Sequence, residues 1–343
     1  MTRVAHIVWG LEIGGIETML VSILNHQCRQ CKVSLIVIND MVDSTLAARI
    51  DPQVEVIYLS RQRGSYNPLP IARLNIALMR IKPDVIHSHS FSIANYLLPQ
   101  LRSKAVLTMH TTLTDGLSRA VLLKYRSIYA VSSAVKQMLQ LQFGIESKVV
   151  YNGIDFQKIA TCSQAKSHKP IRIVQVGRLI TEKGHKTTLE ALAMIKSHEW
   201  ILDIIGSGAE EEHLKRIAND LGIASRVNFI GSRSQEYIFT NLHRYHILLQ
   251  PSTAEGFGLS VIEAMAAKIS VVVSDIDALS EVVADGEHGH LFHVGRADSL
   301  AEVIEQLICK PDSSDYLENS YLYALNRFSI EKSAADYINL YRQ

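Results

Sequence analysis

The chain has 343 residues, 47% of them hydrophobic and 20% charged, with a net charge of +1. This is a globular composition with apolar material for two cores, and the length fits two domains at roughly 100–200 residues each. No run approaches the ~20 apolar residues of a membrane span, and the apolar stretch Val4 to Trp9 is too short for a secretory signal core, so a cytoplasmic protein is expected.

In chain order, VAHIVWG, ETMLVSILNHQ and VSLIVI read as strand, helix and strand. VEVIYL is a further strand, and IARLNIALMRI carries apolar residues at helical spacing. DVIHSHS, AVLTMH and IYAVSS are short buried strands that each end in polar residues. The polar stretch from Gln157 to Pro170 reads as a linker. A second series follows: IRIVQVGR, TTLEALAMIKS, WILDIIGSG, EEEHLKRIANDLG, VNFIG, HILLQPS, GLSVIEAMAAK, ISVVVSD and GHLF. Alternating strands and helices predict an α/β protein with parallel sheets covered on both faces. Two series predict two Rossmann-like, doubly wound domains, residues 1–160 and 161–343. The last helix, Ser329 to Tyr341, follows the second series and is free to pack back on the first domain.

There are four cysteines, Cys28, Cys31, Cys162 and Cys309. Cys28-Arg29-Gln30-Cys31 ends a helical pattern, whereas a redox pair opens one, and no second pair completes a zinc site. Structural cysteines in a reducing compartment are expected. Residues 1–155 carry 16 Lys/Arg against 10 Asp/Glu, and the remainder 19 against 24. The basic front half points to an anionic partner, an anionic membrane surface being the expected one, and no nucleic acid.

Ligands of parallel α/β sheets sit outside the carboxyl ends of the strands. The strongest motif lies there: Pro251-Ser-Thr-Ala-Glu255-Gly-Phe-Gly-Leu-Ser-Val-Ile-Glu263. A strand runs into a loop with Gly256 and Gly258, then into a helix carrying Glu263. The glycines admit a ligand to the backbone, the helix start offers free N–H groups to an anion, and two carboxylates flank the turn. Alone, this spacing is most often a loop acid and a surface helix acid. A second motif, Gly177-Arg178 to Lys183-Gly184, sets a guanidinium directly after a strand and an ammonium in the next loop, suited to phosphate oxygens. Gly206-Ser-Gly208 is a weaker third turn.

Gly14-Gly15, PDVIHSHS, VLTMH, YNGID, VGRL-x3-KG, IIGSG and EGFGLSVIEAMA occur in the order and spacing of the GT4 family of glycosyltransferases. The chain resembles that family over essentially its whole length. The resemblance implies a GT-B fold, two Rossmann-like domains facing across a cleft. It implies retaining, metal-independent transfer of a sugar from a nucleotide diphosphate donor, UDP-linked, to a glycan or polyprenyl-linked acceptor in surface polysaccharide synthesis, with no cofactor. By resemblance, Arg178 and Lys183 bind the diphosphate, Glu255 faces the donor sugar, and Glu263 accepts from the ribose hydroxyls. The backbone at Phe257, Gly258, Leu259 and Ser260 contacts sugar and phosphate, and Gly231 to Arg233 flanks the base. Gly177, Gly206 and Gly256 complete the donor loops. From the first domain, Gly14 and Gly15 approach the phosphate or acceptor, and His110 faces the sugar. The catalytic set is His110, Glu255, Arg178 and Lys183.

The chain departs from the family at Asp275-Ile-Asp277-Ala-Leu-Ser-Glu281, where Gly-Gly-x-x-Glu is usual, and at Ile269-Ser270, where a proline is usual. Asp275-x-Asp277 imitates a metal-binding D-x-D and is read as accidental in this context. His87 and His89 lack an evident third metal ligand and are expected to line the site or the core. No G-x-S-x-G elbow supports a serine hydrolase. The rivals are a nucleotide-sugar epimerase, a non-catalytic sugar-nucleotide binder, and a glycogen- or sucrose-type synthase within the same chemistry.

Overall fold

The computed structural model describes residues 1–112, 115–161 and 170–343. The contacts divide them into two units: Met1–Ile154 with Ile330–Gln343, and Asp155–Ser329. Cys162 and most of the expected linker lie outside the described residues.

The first unit runs β1 (Arg3–Val8), α1 (Gly15–Gln27), β2 (Lys32–Asn39), α2 (Ser44–Ala47), β3 (Glu55–Arg61), α3 (Leu69–Ile81) and β4 (Val85–Ser88). It continues with α4 (Pro99–Arg102), β5 (Ala105–Met109), α5 (Arg119–Leu122), β6 (Ser127–Ala130), α6 (Ser133–Phe143) and β7 (Lys148–Val149). All seven strands pair in parallel in the order β3-β2-β1-β4-β5-β6-β7, so the winding reverses between β1 and β4. β1, β2 and β5 are buried along nearly every residue, as expected of parallel strands covered on both faces. α6 shows how local chemistry sets an element's ends. The Ser132 side chain accepts from the Val135 N–H at its start, and Gly144 closes it at φ 62°.

The second unit runs β8 (Ile171–Val176), α7 (His185–Met194), β9 (Trp200–Ile205), α8 (Glu211–Asp220), β10 (Val227–Gly231), α9 (Gln235–Asn241) and β11 (Ile247–Gln250). α10 (Leu259–Ala266), β12 (Ser270–Ser274), α11 (Asp277–Val282), β13 (His290–Phe292), α12 (Ala297–Cys309) and α13 (Ser314–Phe328) complete it. Its parallel sheet has the order β10-β9-β8-β11-β12-β13, reversing between β8 and β11. Ile173, Leu189, Trp200, Leu202, Leu249 and Ile304 form its core.

One boundary differs from the sequence expectation, and the last helix takes the placement on the first domain that the sequence left open. Residues 155–160 go with the second unit, not the first. Asp155 caps a short 3-10 turn over Phe156–Lys158, and the Ala160 N–H donates to the Phe239 carbonyl. The last helix, α14 (Ile330–Tyr341), belongs to the first unit. The Ile330 N–H donates to the Ile154 carbonyl, the Ser333 hydroxyl donates to the Tyr151 carbonyl, and α14 packs along α1.

Candidate active site

The crevice of the second sheet lies where β8 and β11 part, and the loops after β8, β9, β10 and β11 are tied together there. The Gly177 N–H donates to the Ile205 carbonyl at 3.0 Å, and the Leu179 N–H to the Ser207 carbonyl at 2.9 Å. Ser207 and Ser232 share a hydroxyl hydrogen bond of 2.7 Å, and the Gly206 N–H donates to the Gly231 carbonyl. Gly206 sits at φ 152°, and a Cβ there would lie 1.9 Å from the Gly177 carbonyl oxygen. Only glycine allows the two loops to close up in this way.

Arg178 leaves this junction exposed, with no side-chain partner among the described residues. Its carbonyl accepts from His185 Nε2 at 3.1 Å, and burial lowers the His185 pKa to about 4. Lys183 ends the short turn Thr181–Lys183 and pairs with Glu255. The same Glu255 oxygen accepts from Gln250 Nε2 at 3.3 Å and from the Ser252 hydroxyl at 3.4 Å. Gln250 Oε1 in turn accepts from the Ser260 hydroxyl at 2.8 Å. The structure therefore brings Lys183, Glu255 and Ser260 into one polar network beside the start of α10. Sequence spacing could not reveal that Lys183 and Glu255 neutralise each other while Arg178 stays uncompensated.

α10 begins at Gly258, which holds φ 102° and carries no side-chain cap. The Val261 and Ile262 N–H groups donate to the Gly258 carbonyl, which leaves those of Leu259 and Ser260 as the anion donors of the first turn. The Phe257 ring is buried against Phe328 with centroids 5.4 Å apart, so its side chain serves the core. Glu263 is buried at 8% exposure, where a surface helix acid would have been exposed. Desolvation raises its pKa to about 7, opposed in part by a hydrogen bond with Gln235. Arg233 is exposed and leans over the Tyr237 ring. Asp275, just after β12, is engaged by the loop after β13, accepting from His293 Nδ1 at 2.9 Å and the Val294 N–H at 2.8 Å, and Asp277 opens α11.

In the first unit, Gly14 is the N-cap of α1 and Gly15 its first residue. The Glu17 carboxylate lies against Gly14, a Cβ there standing 2.4 Å from Glu17 Oε2. His110 follows β5 and joins a cluster that the sequence reading missed. In-register pairing sets His6 beside His87, and His87 beside Val106, so His6, His87 and Thr108 share one sheet face. His6 is a third histidine beside His87 and His89. Ligand atoms of the three lie within 4.8 Å of one another. Each of their six ring nitrogens is already in a hydrogen bond: His6 with Gln27 and His89, His87 with Tyr341 and Thr108, His89 with His6 and His110. Burial holds His6 and His110 at about 4 and His87 and His89 well below the ordinary imidazole range, so the rings are neutral. A histidine inside an otherwise apolar strand was the one available sequence signal for His6. Gln27 and Tyr341 gave none.

Two family models match. Residues 13–158 match Glycosyltransferase Family 4, and residues 158–321 match Glycosyl transferases group 1. A phosphatidyl-myo-inositol mannosyltransferase of Mycobacterium leprae is 26% identical over 279 residues, 76% of this chain and 73% of that one. The lipopolysaccharide core biosynthesis glycosyltransferase LpsE of Rhizobium meliloti is 27% identical over 57% of each chain. Among solved structures, Anabaena Alr3699/HepE in complex with UDP and glucose superposes with a TM-score of 0.83 at 21% identity, covering 99% of both chains.

Proposed function

The chain belongs to the GT4-type glycosyltransferases of GT-B fold, and from that premise we propose that it moves a sugar from a UDP-linked donor to a glycan or lipid-linked acceptor, with retention and without a metal ion. The observation that carries this reading is Arg178. It is an exposed guanidinium with no partner among the described residues, on the loop after β8 at the sheet's switch point, and its neighbour Gly177 lies against the Lys183 side chain.

Breaking a sugar–phosphate bond loads negative charge onto the leaving diphosphate. A fixed guanidinium and helix N–H groups aimed at that charge stabilise the transition state more than the ground state. Arg178 and the α10 N-terminus fill this role, and Lys183 joins them when the diphosphate competes with Glu255 for its ammonium. Glu255, held by Gln250 and Ser252, then faces the sugar, and Glu263 takes the ribose hydroxyls. The loop Gly231 to Arg233 flanks the base. In the first unit, His110 serves the sugar, and Gly14 and Gly15 serve the acceptor. The choice of UDP follows the ligand of the Anabaena protein. The lipid-linked acceptor and the surface-polysaccharide role follow the names of the two relatives. An anionic membrane surface is the place of action we favour.

A panel of UDP- and GDP-sugars tests this reading. One UDP-sugar is expected to stabilise the protein thermally and to yield a transfer product by mass spectrometry, with activity kept in EDTA. Isomerised donor without transfer points to an epimerase, and activity restored only by manganese or magnesium refutes the metal-free mechanism.

A further inference from the structure

Four neutral imidazoles carry one proton each, so every hydrogen bond in the cluster around His6 has a direction. His6 Nε2 lies 2.9 Å from Gln27 Oε1, and His6 Nδ1 lies 3.0 Å from His89 Nε2. His89 Nδ1 lies 3.2 Å from His110 Nε2. His110 Nδ1 is buried and has no partner among the described residues. A second branch leaves the same amide: Gln27 Nε2 to the Tyr341 hydroxyl at 3.5 Å, Tyr341 to His87 Nδ1 at 2.5 Å, and His87 Nε2 to the Thr108 hydroxyl at 2.7 Å.

Tyr341 sets the polarity. A phenol is a better donor than an imidazole N–H, and an imidazole nitrogen is a better acceptor than a phenol oxygen. The close Tyr341–His87 contact therefore has the phenol O–H donating to Nδ1. The Tyr341 oxygen is left to accept from the Gln27 amide nitrogen, and the amide oxygen to accept from His6 Nε2–H. His6 Nδ1 is then a bare lone pair that accepts from His89 Nε2–H, and His89 Nδ1 accepts from His110 Nε2–H.

We propose that Gln27, through His6 and His89, fixes the tautomer of His110 and presents its Nδ1 as a buried acceptor for a ligand hydroxyl. Gln27, His6 and His89 are positioning residues: they act through His110. The identity of the hydroxyl, one on the nucleotide sugar, rests on the function proposed above. The tautomer does not. The arrangement also places α14 in the circuit, because Tyr341 holds the Gln27 amide in orientation.

The test is nitrogen NMR of the full chain labelled at histidine, with His110 assigned by its loss in His110→Asn. Without ligand, His110 is expected as a single tautomer protonated at Nε2. Gln27→Leu should give a mixture of tautomers at His110, and Gln27→Glu, which keeps an acceptor for His6, should restore the single form. Wild-type His110 protonated at Nδ1 overturns the proposal, whatever the variants do. A folded Gln27→Leu protein with an unchanged His110 tautomer overturns it as well. UDP-glucose and UDP-galactose are then added, with binding followed by calorimetry. A sugar nucleotide that binds should move the Nδ1 resonance toward the hydrogen-bonded position, and binding without that movement overturns the acceptor role. If neither nucleotide binds, the donor reading has failed, while the relay stands or falls on the ligand-free spectrum.

Discussion

Arg178 and Lys183 look equivalent in the sequence, two cations five residues apart, yet the structure gives them different starting points. Lys183 must exchange Glu255 for the diphosphate, whereas Arg178 exchanges only water. Arg178→Ala should therefore lower turnover by about 10²-fold, the scale for losing a preorganised charge donor. Near-normal turnover in a folded variant rejects the assignment. Glu263 makes a pH-dependent prediction. Its folded pKa of about 7 exceeds the ordinary value of 4.5, so the folded chain holds the proton more tightly than the unfolded one. Stability contributed by this group is complete below pH ~4.5 and is lost as the pH rises through ~7. Glu263→Gln removes the titration, so the melting temperature of the variant relative to wild type should rise between pH 5 and pH 8. A ribose hydroxyl donates to the ionised carboxylate, so nucleotide binding at pH 6–7 should release a proton in wild type only. Calorimetry in two buffers of different ionisation enthalpy reads this, and equal release from both proteins removes Glu263 from the ribose site.

At the scale of elements, strands that end in polar residues were legible because burial on both faces leaves chemistry only at their carboxyl ends. The glycine turns at Gly177, Gly206 and Gly258 were legible for the same reason. α12 and α13 were not singled out. α13, SDYLENSYLYALNRF, mixes tyrosines with polar residues, and its helicity is supported by packing on α10 more than by a clean apolar stripe. The histidine circuit was hidden because Gln27 and Tyr341 are 314 positions apart and only the return of α14 to the first unit joins them. That return has a consequence. Ile330, Tyr337, Ile338 and Tyr341 are buried. At ~1.5–3 kcal/mol for each large apolar side chain, their loss rivals the ~5–15 kcal/mol stability of a typical domain. A chain ending at Ser329 should lose the first unit's cooperative melting and become sensitive to protease within residues 1–154. Nucleotide affinity, which rests on residues 155–329, should persist. Intact protease resistance of residues 1–154 in the truncated chain shows that α14 is dispensable.

Across the whole molecule, the basic excess belongs to the first 155 residues, and no helix among the described residues is long and apolar enough to cross a membrane. The sequence offers many cations there without placing them on one side. The structure narrows the choice. Arg102, Lys104, Lys124 and Arg119 are tied to nearby carbonyls or to Asn95. On α3, by contrast, Leu69, Arg73, Ile76, Met79 and Arg80 fall on one stripe at helical spacing, and all are exposed, Ile76 at 59%. Arg63 and Lys82 flank this stripe in the sequence, and among the described residues only Arg80 of these cations has an acidic partner, Glu55 at 3.5 Å. Apolar side chains interleaved with cations suit the headgroup boundary of an anionic bilayer. Each cation near such a surface contributes about 1 kcal/mol, so four of them with Ile76 give weak, reversible docking. Co-sedimentation with phosphatidylglycerol vesicles at low salt should therefore be seen, be absent with phosphatidylcholine, and fall steeply as salt rises. Arg73→Glu with Arg80→Glu should abolish it, and Ile76→Ser should weaken it without changing its salt dependence. Failure to sediment with anionic vesicles at low salt removes the membrane from the account and favours an acceptor free in solution.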